Sequence, residues 1–255
     1  MMKIFRFTIL LSLIFFIVFH VFAEAQTVQS DKSKEQILNE YEQWSDLRDD
    51  WPNLNRYRQA NEELAPPKEG ERRVVFMGNS ITEGWSDHYP QFFEGKPYIN
   101  RGIGGQTTPQ MLVRFRQDVI QLQPELVVIL AGTNDIAGNT GPSTLEMIAD
   151  NLFSMAELAK AHGIKVILSS VLPVYDYPWK PGLEPSDKII ELNKMIRTYA
   201  EANDIHYLDY FSAVVDENNG MKEHLAYDGV HPNDEGYKVM SELAEPAIRK
   251  VLNKK

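Results

Sequence analysis

The sequence predicts an α/β fold in which a parallel, five-stranded sheet carries helices on both faces. Three observations point there. Short apolar runs recur from residue 73 onward, at Val74 to Met77, Leu126 to Ala131 and Val166 to Val171, and runs without polar alternation suit strands covered on both sides. Helical patterns with recognisable start and stop residues separate these runs. Strand and helix then alternate to the C-terminus, which implies right-handed crossovers within one sheet.

The 255-residue chain opens with Lys3 and Arg6 ahead of an apolar stretch, Phe7 to Phe22, and Ala23-Glu24-Ala25 offers a small-x-small cleavage site. Residues 1–25 are therefore expected to be a signal peptide cut after Ala25, delivering the protein to the periplasm or the exterior. Ser12 and His20 interrupt a stretch already short of the roughly 20 residues a bilayer span requires, so no stable membrane insertion is expected after cleavage. Loss of this segment takes the formal net charge from −10 to −11. Such acidity disfavours nucleic acid and anionic membrane surfaces as partners. The chain contains no cysteine. It must fold on core burial alone, without disulfides or a cysteine-linked lipid. The remaining 230 residues suffice for one large domain.

Residues 26–72 read as a helical extension and linker ahead of a main domain spanning 73–255. Within 31–64, Ile37, Leu38, Tyr41, Trp44 and Leu47 fall along one helical face, and Pro52 separates a second short helix. Trp44, Trp51 and Tyr57 could offer a sugar-binding surface, yet at this spacing they read as the apolar face that docks on the main domain. Ala65-Pro66-Pro67-Lys68-Glu69-Gly70 breaks the pattern as a linker. The expected strands are Val74 to Met77, Tyr98 to Asn100, Leu126 to Ala131, Val166 to Val171 and His206 to Tyr210. Thr108 can cap a helix with Pro109 at its first position. Ser143-Thr144-Leu145-Glu146 reads as a capping box, with Gly163 placed to end that helix. Ser186 and Asn233 are candidate caps for the last two helices, and Pro246 is expected to kink or split the final one.

Ser80 follows the first strand in Gly78-Asn79-Ser80, Gly105 follows the second in Gly104-Gly105-Gln106-Thr107-Thr108, and Asn134 follows the third in Gly132-Thr133-Asn134-Asp135. All three are expected at the carboxyl edge of one sheet, where open α/β folds bind ligands. A serine hydroxyl needs a base, and His231, in Asp228-Gly229-Val230-His231-Pro232, can serve with Asp228 anchoring its other ring nitrogen. An isolated Asp-x-x-His is more often a polar turn. The competing histidines are His88, His162, His206 and His224; His162 ends a helix and His206 lies in a strand, and His224 is the main rival base. The segment lacks the second glycine of the Gly-x-Ser-x-Gly elbow, so an ordinary α/β-hydrolase site is not expected.

These four blocks, in this order, resemble the SGNH hydrolases, the GDSL-like esterases and lipases, from about Arg73 to the C-terminus. Asn100 to Thr108 is especially similar to the branch of platelet-activating-factor acetylhydrolase subunits and bacterial carbohydrate acetylesterases. Position 79 departs from the pattern, being Asn where the family name implies Asp. The resemblance implies a three-layer α/β/α, flavodoxin-like doubly wound sheet. It implies Ser80, Asp228 and His231 as catalytic residues, with Ser80, Gly105 and Asn134 as oxyanion donors, and needs no cofactor. It further implies hydrolysis of a small acyl ester, acetyl on a carbohydrate, through an acyl-enzyme. Lysophospholipase or lipase action on longer chains and a non-catalytic ligand-binding module stay open beside it. Substrate contacts are expected from Ile81 and Trp85 after the nucleophile, with His88 as further lining. Tyr175 and Trp179 are expected to contribute from a Pro-rich loop before Asp187 that can overhang the pocket. A nucleotide module is disfavoured because Thr107 replaces the third glycine of a phosphate loop. Metal catalysis is disfavoured by the lack of cysteine and of a His-x-x-x-His pair.

Overall fold

The computed structural model describes residues 49–254 together with Lys34, Gln36 and Leu38. The expected signal peptide and the residues Ile37, Tyr41, Trp44 and Leu47 lie outside the described residues. The chain divides into two units at Trp51/Pro52. In the first unit Lys34, Gln36 and Leu38 are helical, and Leu38 is half exposed. The second unit holds everything that follows.

Five strands form one parallel sheet: β1 (Val74–Gly78), β2 (Tyr98–Gly102), β3 (Leu126–Leu130), β4 (Lys165–Ser169) and β5 (His206–Leu208). Their order is β2-β1-β3-β4-β5, so the chain winds outward in one direction from β1 and then in the other. β1 is paired on both sides, with Gly78 opposite Gly102 of β2 and Leu130 of β3. The topological switch therefore lies between β1 and β3, the place where such sheets open a crevice at their carboxyl ends.

Although the strands read as unbroken apolar runs, their side chains divide by the two-residue period of a strand. Val75, Met77, Val127, Ile129, Val166 and Leu168 face one core, beneath α3 (Thr108–Asp118), α5 (Leu145–Ala161) and α6 (Ser186–Ala202). Val74, Phe76, Leu126, Val128, Leu130 and Ile167 face the other, beneath α2 (Ser80–His88) and α8 (Asp234–Asn253). The three-layer α/β/α architecture follows directly. Shorter helices complete the unit at α1 (Arg58–Glu63), α4 (Thr133–Ala137) and α7 (Phe211–Val214).

Helix starts shift by one residue from the sequence expectation wherever two adjacent hydroxyls compete. Thr107, not Thr108, caps α3, joined to Gln110 through its N–H at 3.0 Å. Thr108 is unavailable because its N–H and hydroxyl both donate to Asp135. Thr144 rather than Ser143 caps α5 by accepting from the Met147 N–H at 3.2 Å. Ser186 lies inside α6, where its hydroxyl donates to the Val174 carbonyl instead of capping. Asn233 caps α8 as expected, accepting from the Gly236 N–H at 3.0 Å. At the end of α5, Gly163 adopts φ +74° while the Ile164 and Gly163 N–H groups return to Ala159 and Lys160, a Schellman arrangement. Pro246 neither splits nor ends α8. Pro246 and Glu242, whose carbonyl loses its helical donor, both lie on the solvent face, where water can meet that oxygen.

The nucleophile segment and the second glycine block are held together by close backbone packing. A Cβ on Gly102 would lie 2.1 Å from the Glu83 nitrogen in the first turn of α2. Gly102→Ala should therefore push α2 off the sheet and cost about 1–3 kcal/mol or more, read as a lower urea midpoint. An unchanged midpoint would contradict this packing.

Candidate active site

Each loop at the carboxyl edge of the sheet brings one part of the site. β1 ends at Gly78, and Asn79 caps α2 by accepting from the Ile81 N–H at 3.0 Å. That bond needs only a side-chain oxygen, which Asn supplies as well as Asp would. Ser80 thus occupies the first position of α2, where a backbone N–H has no intrahelical acceptor and the helix dipole is positive. Its hydroxyl Oγ is 2.9 Å from His231 Nε2.

His231 reaches this edge from the loop between β5 and α8. Asp228 holds it twice, accepting from Nδ1 through Oδ2 at 2.7 Å and from the His231 backbone N–H through Oδ1 at 2.7 Å, while the Val230 N–H adds a third bond at 2.9 Å. Gly229 between them adopts φ +81°, which lets so short a loop close on itself. Partial burial would raise the Asp228 pKa, yet these hydrogen bonds and the imidazole outweigh it and hold the carboxyl below its ordinary range. An ionised Asp228 keeps the proton on Nδ1 and leaves Nε2 able to accept one from a hydroxyl.

Opposite Ser80 lies the turn after β2. A Cβ built on Gly104 would be 3.9 Å from Ser80 Cβ, so the turn borders the hydroxyl. Gly105 adopts φ +73°, and a Cβ there would meet nothing. Its backbone conformation, rather than crowding, asks for glycine. The Gly105 carbonyl accepts from Asn139 Nδ2 at 3.2 Å. Asn134, in α4 after β3, donates one Nδ2 hydrogen to the Gln106 carbonyl at 2.9 Å, and its amide has a second hydrogen to give. Asn134 is buried.

Beneath these loops runs a buried guanidinium. Arg114 of α3 donates to the Gly78 carbonyl at 3.0 Å and to Gln106 Oε1 at 2.5 Å, and pairs with Asp118 at 3.1 Å. Arg114 and Asp118 are both fully inaccessible to solvent. One side chain therefore ties the end of β1 to the turn after β2.

The expected substrate contacts divide. Ile81 and Trp85 are 2% and 1% exposed; Trp85 stacks on Phe92 and donates its indole N–H to Ser241. Both belong to the core under α8, because a helix starting at Ser80 turns its second and sixth residues toward the sheet. Trp179 does reach the site, with its ring centroid 6.1 Å from that of His231. Tyr175 lies exposed against the turn at Gly220. Their loop is firmly built: Asp176 accepts from the Tyr177, Gly182, Leu183 and Glu184 N–H groups, and buried Tyr177 donates its hydroxyl to the Thr133 carbonyl. His224 engages its surroundings through its carbonyl, which accepts from Asn233, and is not brought to Ser80. His88 bonds Asp234 at 2.9 Å and stacks between Tyr237 and Tyr227.

Tyr227 was not among the residues expected here. It stacks on the His231 ring at 5.5 Å with an 11° tilt and stays 61% exposed. Its place immediately before Asp228 is the signal that points to it. Glu83 and Gln106, which brace the glycine turn, carry no such signal because their partners lie far away in sequence.

The loops thus gather a serine, a histidine and a carboxylate at the switch point of a doubly wound sheet. Residues 76–239 match the GDSL-like Lipase/Acylhydrolase family, and the chain belongs to that family, the SGNH hydrolases. It is 51% identical to a protein of known structure from Bacteroides fragilis NCTC 9343, over 80% of this chain and 99% of that one, with a TM-score of 0.79. A GDSL-like lipase from Bacteroides thetaiotaomicron VPI-5482 is 50% identical, over 78% and 98% of the two chains, with a TM-score of 0.76. An acetylxylan esterase of Xylanibacter ruminicola is 28% identical, over 73% of this chain and 45% of its own length. The chain spans about half the length of the first curated relatives it matches.

Asp135 stands behind the site rather than in it. It accepts from the Thr108 N–H at 2.9 Å and from the Thr108 hydroxyl at 2.6 Å, which fixes α4 to the start of α3. Burial pushes its pKa from 3.8 up to about 6, against the pull of the Thr108 bonds. Below pH 3.8 the carboxyl is protonated whether the chain is folded or not, so no penalty arises; as pH rises toward 6 only the unfolded chain ionises freely, and stability is lost. Relative to Asp135→Asn, the wild type should lose roughly 2 kcal/mol of unfolding free energy between pH 4 and pH 7. Urea titrations at the two values check this, and parallel pH profiles for the two proteins would contradict it.

Proposed function

We propose that the protein is an exported serine ester hydrolase that removes a small acyl group, acetyl foremost, from a carbohydrate or similar ester. The observation that carries the reading is the 2.9 Å contact of Ser80 Oγ with His231 Nε2, on an imidazole whose other nitrogen is held by Asp228. In this mechanism His231 takes the hydroxyl proton as Ser80 Oγ attacks the ester carbonyl. The resulting oxyanion is met by the Ser80 and Gly105 N–H groups and by the Asn134 amide hydrogen left over from its bond to Gln106. Collapse releases the alcohol, which receives the proton from His231, and leaves an acyl-serine. A water, deprotonated by the same imidazole, then frees the acid and restores Ser80.

Acetyl is favoured by the 28% identity to an acetylxylan esterase. The exposed rings of Tyr227 and Trp179, both close to His231, suit a sugar leaving group, which packs its C–H faces on aromatic planes. Export rests on the composition of residues 1–25 alone.

On p-nitrophenyl acetate, Ser80→Ala should lower kcat by about 10³-fold or more while the protein stays folded. Retained turnover would remove Ser80 from the mechanism. Asn134→Ala should lower kcat roughly 10²-fold with KM little changed, and an effect confined to KM would exclude it from the oxyanion site. Acetylated xylo-oligosaccharides should be turned over faster than lysophospholipids; the reverse preference would assign the longer acyl chains instead.

A further inference from the structure

The segment between the unit boundary and α1 is tied to the glycine turn that borders Ser80. Gln106 donates to the Pro52 carbonyl at 2.7 Å, Gln117 to the Leu54 carbonyl at 2.7 Å, and the Tyr57 hydroxyl to the Gly102 carbonyl. Arg101 lies over the Tyr57 ring at 4.7 Å and bonds Asn61 at 2.7 Å. The position of Arg56 is thus set by the fold on its C-terminal side and by two backbone anchors ahead of it.

Arg56 meets Glu83, which lies in the first turn of α2. One Glu83 oxygen pairs with Arg56 Nη2 at 3.1 Å, and the other accepts from the Gly104 N–H at 2.7 Å. The carboxylate therefore joins the helix that begins at Ser80 to the turn that supplies Gly105. A Cβ on Gly104 would lie 3.0 Å from Glu83 Oε2 and 3.9 Å from Ser80 Cβ, so this negative charge stands close to where charge gathers on a reacting carbonyl. A carboxylate there serves two opposed ends. It orders the turn, yet its charge resists an oxyanion unless a cation offsets it.

We propose that Arg56 is a positioning residue that offsets this conflict, holding the Glu83 carboxylate on Gly104 while cancelling its charge. The proposal rests on the serine-hydrolase reading above. Arg56 is half exposed, and exposed ion pairs add little to stability, so its effect belongs to the rate rather than to folding.

The test uses the full chain and p-nitrophenyl acetate. Arg56→Ala should lower kcat roughly fivefold, with KM within about twofold of wild type and the melting temperature nearly unchanged. Adding Glu83→Gln should restore kcat to within about twofold of wild type, because an amide oxygen still accepts from Gly104 and carries no charge. A bracing role without the electrostatic part would give no such rescue. An unchanged kcat in Arg56→Ala, or a double variant no faster than the single one, overturns the proposal. Full activity in Ser80→Ala, run beside them, would instead overturn the reading beneath it.

Discussion

The site depends on one buried cation. Arg114 reaches from α3 to the last carbonyl of β1 and to the Gln106 side chain in the turn after β2, with Asp118 as its counter-ion. Removing either charge from such a pair leaves the other uncompensated in a low dielectric, which typically costs several kcal/mol. That cost makes the geometry nearly all-or-none. Gln106 passes the constraint on, since its carbonyl accepts from Asn134. Blocks separated by dozens of residues are thereby set in one frame before any substrate arrives, the condition for electrostatic preorganisation.

The topology explains why those blocks can meet at all. In a sheet ordered β2-β1-β3-β4-β5 the chain leaves β1 on both sides in turn, and the loops after β1 and β3 open a crevice rather than covering it. Ser80 stands at that crevice on the start of a helix, Asn134 on the short helix after β3, and His231 swings in from beyond β5. Capping and anchoring bonds pin the segments at this edge: Asn79 to Ile81, Asp228 to Val230 and His231, and Asp176 to four backbone N–H groups. Charge is graded across the site. Asp228 is held ionised at the partly exposed end, whereas Asp135, behind Asn134, is pushed toward neutrality by burial.

Much of this was legible in the sequence because it is local. The unbroken apolar runs of β1 and β3 and the glycines that follow them each carry their meaning within a few residues, whereas the Asp-x-x-His turn gains its meaning only beside the other blocks. Sequence alone does not fix a helix start where two hydroxyls stand side by side, as at Thr107 and Thr108, since a distant carboxylate, Asp135, decides which is free to cap. Ile81 and Trp85 follow the nucleophile in sequence, but helical geometry turns them into the core, which proximity along the chain does not reveal. Pro246 kept its helix because it faces water. Long-range partners such as Arg56, Glu83 and Arg114 leave no mark in sequence order. Their roles exist only once the sheet has brought residues 56, 83 and 104 together.

The central claim is that Ser80 is made nucleophilic by His231, and covalent labelling tests it without reference to any natural substrate. An organophosphorus fluoridate incubated with the intact protein should modify a single residue, found by mass spectrometry of peptides to be Ser80, and His231→Ala should suppress that labelling. Modification of a different residue, or labelling of Ser80 undiminished by loss of the imidazole, would contradict the account.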